Sequence, residues 1–159
     1  MRILALAAFA VVCAVAPAWA DVHTNPAAKI SVDVPKPWKL AGGGNTMVAS
    51  DPKEEAAISM VVTDTDDPKK ALELLDKQMG SQVKDSKLEQ PTKIDVNGLQ
   101  AIMIKGTATM NGKKVGIMIL AIMTPINKIM DVMAVVEDAK FEAHKKEVTG
   151  ILMSIKPAK

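Results

Sequence analysis

The chain has 159 residues, with 20 Lys and Arg against 18 Asp and Glu, one cysteine and only 3% aromatic residues. Removal of the amino-terminal segment described next would leave 139 residues, which is one domain by length and enough to bury a core. That shorter chain would carry 19 lysines, no arginine and a net charge of +1, with both signs interspersed. Without guanidinium groups or a field of one sign, the composition argues against nucleic acid, phosphate-rich ligands and anionic membranes as partners.

Residues 1–20 have the pattern of a secretory signal peptide. Arg2 precedes an apolar run over 3–15, and the Ala-Trp-Ala sequence at 18–20 places small residues at −3 and −1 of a cleavage site. Cys13 leaves acylation at a lipoprotein site as the alternative, although the valine before it is larger than such a site favours. We therefore expect a periplasmic or secreted protein without thiol chemistry. No stable membrane insertion is expected after cleavage, because the apolar run is too short for a comfortable span.

Residues 29–159 are predicted to form a single α+β domain that follows a flexible tail over 21–28. A strand over 29–34 should end at the two prolines that follow it, with Trp38 anchoring the turn against the core. The glycines at 42–44 are predicted to form a flexible loop. They lack the spacing and the following helix of a phosphate cradle.

The next segment is predicted to hold two strands and a helix. The strands lie over 46–50 and 56–63, and the second is apolar at nearly every position, which indicates cover on both faces. Asp67 has the position of a helix N-cap, with Pro68 as the first helical residue. Apolar residues at helical spacing follow, and Gly80 interrupts the pattern, so the helix should end there.

The stretch 87–136 is predicted to form four consecutive antiparallel strands, over 87–96, 99–110, 113–123 and 128–136. Asn97-Gly98 and Asn111-Gly112 favour two-residue turns, because Asn and Gly tolerate the positive φ that such turns require. The second turn sets the register, placing Ile104 opposite Ile119, and gives the ribbon two apolar faces that both need cover. Gly106 in mid-strand indicates a bulge or the close approach of a helix.

Asp138 is predicted to cap a final helix over 139–155, whose apolar stripe includes Phe141, Val148 and Ile151. The expected fold class is therefore α+β. It consists of an antiparallel sheet of about six or seven strands, sandwiched by this helix and by the helix that begins after Asp67.

The order of these elements resembles the PsbP-like superfamily, which includes the photosystem II subunit PsbP, the Ran-binding Mog proteins and the bacterial envelope protein DcrB. The resemblance depends on the early strand running into Val34-Pro35 and Trp38, the strand over 56–63 before a helix, the strands around Asn97-Gly98, and the ending over 141–156. It implies a central antiparallel sheet sandwiched by helices and an accessory or interaction role instead of an enzymatic one. No functional residue of the superfamily is carried over to this chain, and the poor lipoprotein site at Cys13 argues against a DcrB-like membrane tether.

Two histidines are the only side chains whose ordinary pKa suits acid–base chemistry near neutral pH. His23 lies in the predicted tail. His144 falls inside the apolar stripe of the final helix, where it is a candidate functional histidine or, alternatively, a boundary residue packed on the sheet edge. The acids at 64–67 lack the further oxygen ligands of a calcium loop and suit the positive end of a helix. With no catalytic motif, neither an enzymatic activity nor a cofactor is expected.

Eleven methionines make up apolar volume that aromatic residues would ordinarily fill. Met103 and Met118 should be diagonal neighbours on one sheet face, and thioether groups in an exported protein can hold Cu(I). Met130 and Met133 should point to opposite faces, so they cannot share one ion. Because the surroundings are aliphatic, core filling is the favoured interpretation.

These observations predict an exported, non-enzymatic accessory or interaction domain of the bacterial cell envelope, with an envelope protein as its partner. The binding surface is predicted at a loop or sheet edge formed by Trp38, Gly42, Gly43 and Gly44. The alternative is a carrier of a small ligand or of Cu(I) that uses the sheet face bearing Met103 and Met118.

Overall fold

The structure is a computed structural model that describes residues 20–80 and 83–159. The predicted signal peptide, including Cys13, lies outside the described residues except for Ala20. Within these ranges two α-helices are present, α1 over Pro68–Met79 and α2 over Phe141–Ser154. A 3₁₀ turn at Asp138–Lys140 precedes α2.

The strands of the described residues are numbered in chain order. They are β1 Ala20–Asn25, β2 Ile30–Pro35, β3 Lys39–Gly43, β4 Thr46–Ser50, β5 Ala56–Val62, β6 Val83–Leu88, β7 Thr92–Val96, β8 Leu99–Met110, β9 Lys113–Met123, β10 Ile129–Glu137 and β11 Lys156–Pro157.

Two antiparallel sheets organise the molecule. The main sheet has the order β3-β4-β5-β10-β9-β8-β6, and β7 also pairs with β8 beside β6, which gives eight strands. A small sheet has the order β1-β2-β11. The fold class is α+β as predicted. The main sheet has more strands than the six or seven expected, because β3 was not predicted as a strand and because one predicted strand is divided into β6 and β7.

The central ribbon follows the predicted register. Ile104 lies opposite Ile119 across β8 and β9. The two turn residues have φ values of 51° and 85° at Asn97-Gly98, and of 51° and 78° at Asn111-Gly112. These are the positive values that a two-residue hairpin demands, so the local turn chemistry sets the pairing of the strands.

Both faces of the main sheet are buried, as the alternation predicts. One face packs against α2 and the small sheet, and its core includes Met118, Leu120 and Ile122 together with Val148, Ile151 and Leu152 of α2. The opposite face packs against α1 and includes Ile104, Ile117 and Ile119. Less of this second face is covered toward β4, where the Val48 side chain is 37% exposed.

Helix α1 begins and ends where the sequence predicts. The Asp67 side chain accepts the backbone N–H of Lys69 at 2.9 Å, and Pro68 is the first helical residue. The helix stops at Met79, where the N–H of Gly80 still donates to the carbonyl of Asp76. In α2, by contrast, the predicted cap is wrong: Asp138 begins the 3₁₀ turn, and no side chain caps the helix proper.

The flexible tail predicted over 21–28 is wrong for its first part. Residues through Asn25 form β1, which pairs with β2 from Ala20 opposite Pro35 to Asn25 opposite Ile30. Most of its side chains are exposed, so the strand is held by backbone pairing. Its sequence has no alternation of apolar and polar residues from which a strand could be predicted. Buried Asn25 then closes the turn by accepting the N–H of Ala28.

The single strand predicted over 87–96 is divided into β6 and β7, both paired with β8. Pro91 lies between them and has no N–H to contribute to a ladder. β6 also shifts its register between Lys84 and Lys87. A Cβ on Gly106 would clash with the carbonyl oxygen of Lys87. Glycine is therefore required here by the close approach of a neighbouring strand, and not of a helix.

The loop predicted at the three glycines is also corrected. Gly42 and Gly43 end strand β3, and Gly44 with Asn45 makes the turn to β4. Gly42 adopts a φ of +95°, a conformation for which glycine is suited. Since β3 pairs only with β4 among the described strands, it forms one edge of the main sheet.

Candidate functional site

His144 lies in a group of acidic side chains that we call the acid–histidine cluster, formed by Asp51, Glu55, His144 and Glu147. One ligand atom each of Asp51, Glu55 and His144 lies within 4.8 Å of the others. The His144 side chain is 13% exposed and that of Glu55 is 20% exposed, so the cluster sits at the boundary between core and solvent.

The β4–β5 turn presents the two acids of the cluster. Asp51 is buried, and its Oδ1 accepts the N–H of Ala56 at 2.8 Å while its Oδ2 accepts the N–H of Lys53 at 3.0 Å. These bonds shape the turn that places Glu55 over α2. The carbonyl of Glu55 in turn accepts the N–H of Glu137 at 2.9 Å, which fixes the turn to β10.

Helix α2 supplies the partners. His144 Nε2 lies 3.0 Å from Glu55 Oε2, and Lys140 Nζ lies 3.3 Å from Glu55 Oε1. The other ring nitrogen, Nδ1, lies 3.5 Å from Glu147 Oε2. The same Glu147 oxygen accepts the indole N–H of Trp38 at 3.3 Å. The cluster thus joins two predicted site residues, Trp38 and His144, through one carboxylate.

The charges of the cluster shift one another's pKa. The hydrogen bond to Glu55 raises the pKa of His144, and the same bond is the main cause that lowers the pKa of Glu55. Burial works to raise the pKa of Asp51, but backbone N–H groups of Ala56 and its neighbours outweigh it, so that pKa is lowered. The cluster therefore favours a protonated imidazole between ionised carboxylates.

One imidazole nitrogen and two carboxylate oxygens form a donor set of the kind that Zn²⁺ accepts. In this structure both oxygens of Asp51 accept backbone N–H groups, and Glu55 pairs with His144 Nε2 and Lys140. The Nδ1 atom of His144 is buried, and its nearest charged neighbour is Glu147 Oε2 at 3.5 Å, with no hydrogen bond between them. The arrangement accordingly works as an ion-pair brace that holds α2 to the β4–β5 turn. The sequence indicated only His144, because Glu55 lies 89 residues away along the chain.

Of the acids at 64–67, Asp67 lies at the positive end of a helix as predicted, whereas Asp64 forms an ion pair with a lysine outside that helix. Asp64 pairs with Lys128 Nζ at 2.7 Å, and Asp67 caps α1. The predicted tail histidine, His23, lies in β1 opposite Val32.

The predicted methionine pair lies in the hydrophobic core. Met103 is opposite Leu120 and Met118 is opposite Lys105, which makes the two methionines diagonal neighbours on the α2 face. Met118 is 8% exposed, and both side chains pack in the core cluster that includes Leu120 and Ile122. This aliphatic packing supports core filling and offers no support to a Cu(I) site. Met130 and Met133 pack on opposite faces, as the period of a strand requires.

The residues predicted to bind a partner differ in exposure. Trp38 is 8% exposed, so it anchors the core below the β2–β3 turn and presents little surface. Gly42, Gly43 and Gly44 are all exposed along the edge strand and its turn. Their role in binding stays a prediction, and the surface on which it depends is the open edge of β3.

No protein-family model and no curated protein matches the sequence. Solved structures match the fold at low identity. Cyanobacterial PsbP (CyanoP) from Synechocystis superposes with a TM-score of 0.61 and 9% identity, over 89% of this chain and 94% of that one. LpqN of Mycobacterium tuberculosis, a protein involved in cell envelope biogenesis, superposes with a TM-score of 0.58 and 16% identity, over 82% of this chain and 83% of that one.

A third match is PA94, a Pseudomonas aeruginosa protein of unknown function, with a TM-score of 0.54 and 13% identity over 85% of this chain and 94% of that one. The class that these likenesses define is the PsbP-like fold, and the chain has that fold, as the resemblance implied. The likeness is one of architecture, because so few residues are shared.

Within the described residues, neither helix combines the length and the apolarity that crossing a bilayer requires.

Proposed function

We propose that this protein is an exported accessory domain of the bacterial cell envelope that binds a partner protein and catalyses no reaction. The observation that carries the proposal is the likeness to CyanoP and LpqN over more than four-fifths of each chain. LpqN takes part in cell envelope biogenesis. The amino-terminal pattern of a signal peptide supports export to the periplasm or out of the cell.

The absence of catalysis is part of the proposal. Among the described residues, the only grouping of a histidine with two acids is the acid–histidine cluster. Its members are engaged with one another, with Lys140 and with backbone N–H groups, and no serine or threonine contacts His144 in the described ion pairs and hydrogen bonds. A general base needs a substrate proton within reach, and a brace of this kind does not supply that position.

The open edge of β3 is the binding surface that fits this role. An edge strand presents unpaired N–H and C=O groups, which an extended segment of another protein can pair with. Ala41, Gly42 and Gly43 are exposed, and neither glycine has a side chain to shield the backbone. We therefore place an extended segment of an envelope protein on β3, as an added strand of the main sheet.

Affinity capture from envelope extract with three versions of the protein tests the proposal. The wild type is compared with Ala41→Lys/Gly43→Lys, which puts two charges on the edge, and with Glu73→Lys, an exposed change on α1. We expect one envelope protein to be retained by the wild type and by the α1 variant and lost from the edge variant. A photo-crosslinker at position 41 should form an adduct with that same protein.

Equal retention by all three versions would place the binding surface elsewhere than β3. Failure of the wild type to retain any envelope protein would contradict the accessory role itself. Thermal unfolding of each variant serves as the control, since a shifted Tm would mean that the fold and not the edge had changed.

A further inference from the structure

A pocket of about 230 Å³ lies beneath the carboxyl end of α1, on the sheet face opposite to Met103 and Met118. Its walls come from α1, from β5 and β10 of the main sheet, and from β6 and β8. Most of the lining is apolar, and three thioether groups belong to it, those of Met79, Met110 and Met133. Such side chains adapt their shape to a guest, because the unbranched thioether has several low-energy rotamers.

Asp131 is the exception in this lining. Its side chain belongs to the middle of β10, between strand partners Val61 and Ala121, and is 4% exposed. Its Oδ1 atom is buried and has no hydrogen-bond partner among the described residues. Burial raises the pKa of Asp131 to about 6, so the carboxyl is mostly ionised at neutral pH. A buried carboxylate without a partner is costly and is uncommon in native proteins.

Among the described residues, the lining of the pocket offers no counter-charge to Asp131. The other described residues that line the pocket are all uncharged, namely Ser59, Val61, Leu75, Gln78, Met79, Val83, Met110 and Met133. The two residues that precede Val83 in the sequence, a serine and a glutamine, carry no charge either. A bound cation would supply the positive charge that this described lining lacks.

The size of the pocket selects among cations. One water takes about 30 Å³ of liquid, so the pocket has room for a small organic molecule. A single metal ion would leave most of that space unfilled. An amine with an apolar body matches both features, because its ammonium group pairs with the carboxylate while its body displaces water from the thioethers and aliphatic groups.

We propose that this pocket binds a small organic cation, an ammonium group on an apolar body, with Asp131 as the counter-ion. The site is independent of the β3 edge, since the two lie on different parts of the main sheet. Ligand binding here would make the domain a carrier or sensor of an amine in addition to a partner-binding module.

The test uses benzylamine and benzyl alcohol, two probes of equal size that differ in charge. The methyl signals of the methionines are recorded by NMR at pH 7.5 while each probe is added. We expect benzylamine to shift the signals of Met79, Met110 and Met133, and to leave those of Met103 and Met118 on the other face unchanged. Benzyl alcohol should bind about tenfold more weakly or not at all, a difference of about 1.4 kcal/mol.

Asp131→Asn is the matched variant, because it keeps the shape of the side chain and removes its charge. It should bind benzylamine about tenfold more weakly than the wild type, while its affinity for benzyl alcohol stays the same. Benzylamine should also raise the Tm of the wild type by more than that of the variant at the same concentration.

Three results would overturn the proposal: no shift in the pocket methionines with up to about 10 mM amine, equal binding of the two probes, or unchanged amine affinity in Asp131→Asn. Stoichiometric binding of Ag⁺ at the three pocket methionines without any response to benzylamine would likewise overturn it, in favour of a soft-metal site.

Discussion

Asp131 is an ionisable side chain in a buried, mostly apolar environment. Its pKa is about 6 in the folded protein against an ordinary 3.8, because burial disfavours the charged form. A carboxyl whose pKa is raised by folding stabilises the native state fully below pH 3.8 and loses that contribution as the pH rises through 6. The shift corresponds to about 3 kcal/mol at pH values well above 6.

Asp131→Asn should therefore raise the free energy of unfolding at pH 7.5 by roughly 1–3 kcal/mol, since it removes the charge that burial penalises. At pH 4 the gain should shrink below about 1 kcal/mol, because the wild-type carboxyl is then protonated. Urea denaturation at the two pH values measures both quantities. Asp66→Asn, an exposed change just before α1, is the control and should alter neither. An equal gain at both pH values would show that charge is not its cause.

The brace between α2 and the β4–β5 turn acts at the scale of elements. The pKa of His144 is raised above its ordinary value of 6.5. Its contribution to the stability of the fold is therefore complete below pH 6.5 and is lost as the pH rises through the pKa of the folded state. The pKa of Glu55 is lowered below its ordinary value of 4.5. Its contribution to the stability of the fold is therefore present above pH 4.5 and is lost as the pH falls through the pKa of the folded state. The attraction between the two side chains is therefore complete between about pH 4.5 and 6.5.

A double-mutant cycle with Glu55→Gln and His144→Gln should give a coupling energy that is larger at pH 5.5 than at pH 8.5. The cycle subtracts effects of other titrating groups, including Asp131, because they occur in all four proteins. A parallel cycle on the Asp64–Lys128 pair, which contains no histidine, should not show this decline. An equal coupling energy for Glu55 and His144 at both pH values would mean that their interaction does not depend on a protonated imidazole.

Glycine decides how closely neighbouring elements approach. A Cβ on Gly106 would meet the backbone oxygen of Lys87 and the side chain of Leu88, and a backbone atom in a paired strand has little room to move. We expect Gly106→Ala to lower the free energy of unfolding by about 1–3 kcal/mol, measured by urea denaturation.

Gly150→Ala is the matched control for this substitution. Gly150 lies in α2, is exposed, and a Cβ there would meet nothing within 4 Å. Because alanine is the better helix former, this change should stabilise the protein by about 0.5–1 kcal/mol. A loss of stability from both substitutions, or from neither, would contradict the role given to the approach of β6 to β8.

The molecule as a whole is a sheet between two unlike layers. On one face α2 and the small sheet pack against the main sheet, and on the other α1 alone covers β8 to β10. This unequal cover leaves the Asp131 pocket under one end of α1, and the order of strands leaves β3 at an open edge. Both proposed binding sites thus lie where a layer of the fold ends, one at the end of α1 and the other at the edge of the main sheet. CyanoP and LpqN share the architecture at 9% and 16% identity, so the pattern of burial and not the particular residues defines the fold.

Local chemistry by itself determined the ribbon of β7 to β10, its register and the limits of α1. The Asn-Gly pairs, the alternation of apolar residues and the Asp67-Pro68 cap act within a few residues of one another, so their outcome follows from sequence. The interruption of an apolar run by Asp131 is a further local signal, because a carboxyl among buried strand positions indicates a place that needs a partner.

Tertiary structure alone decided the remaining features. β1 is held by backbone pairing with β2, and β6 by its approach to Gly106, so neither has a hydrophobic pattern of its own. The acid–histidine cluster joins Glu55 and His144 across 89 residues, and the pocket around Asp131 joins five elements. Distances of this kind depend on how sheets and helices pack, because residues far apart along the chain carry no mutual signal in a single sequence.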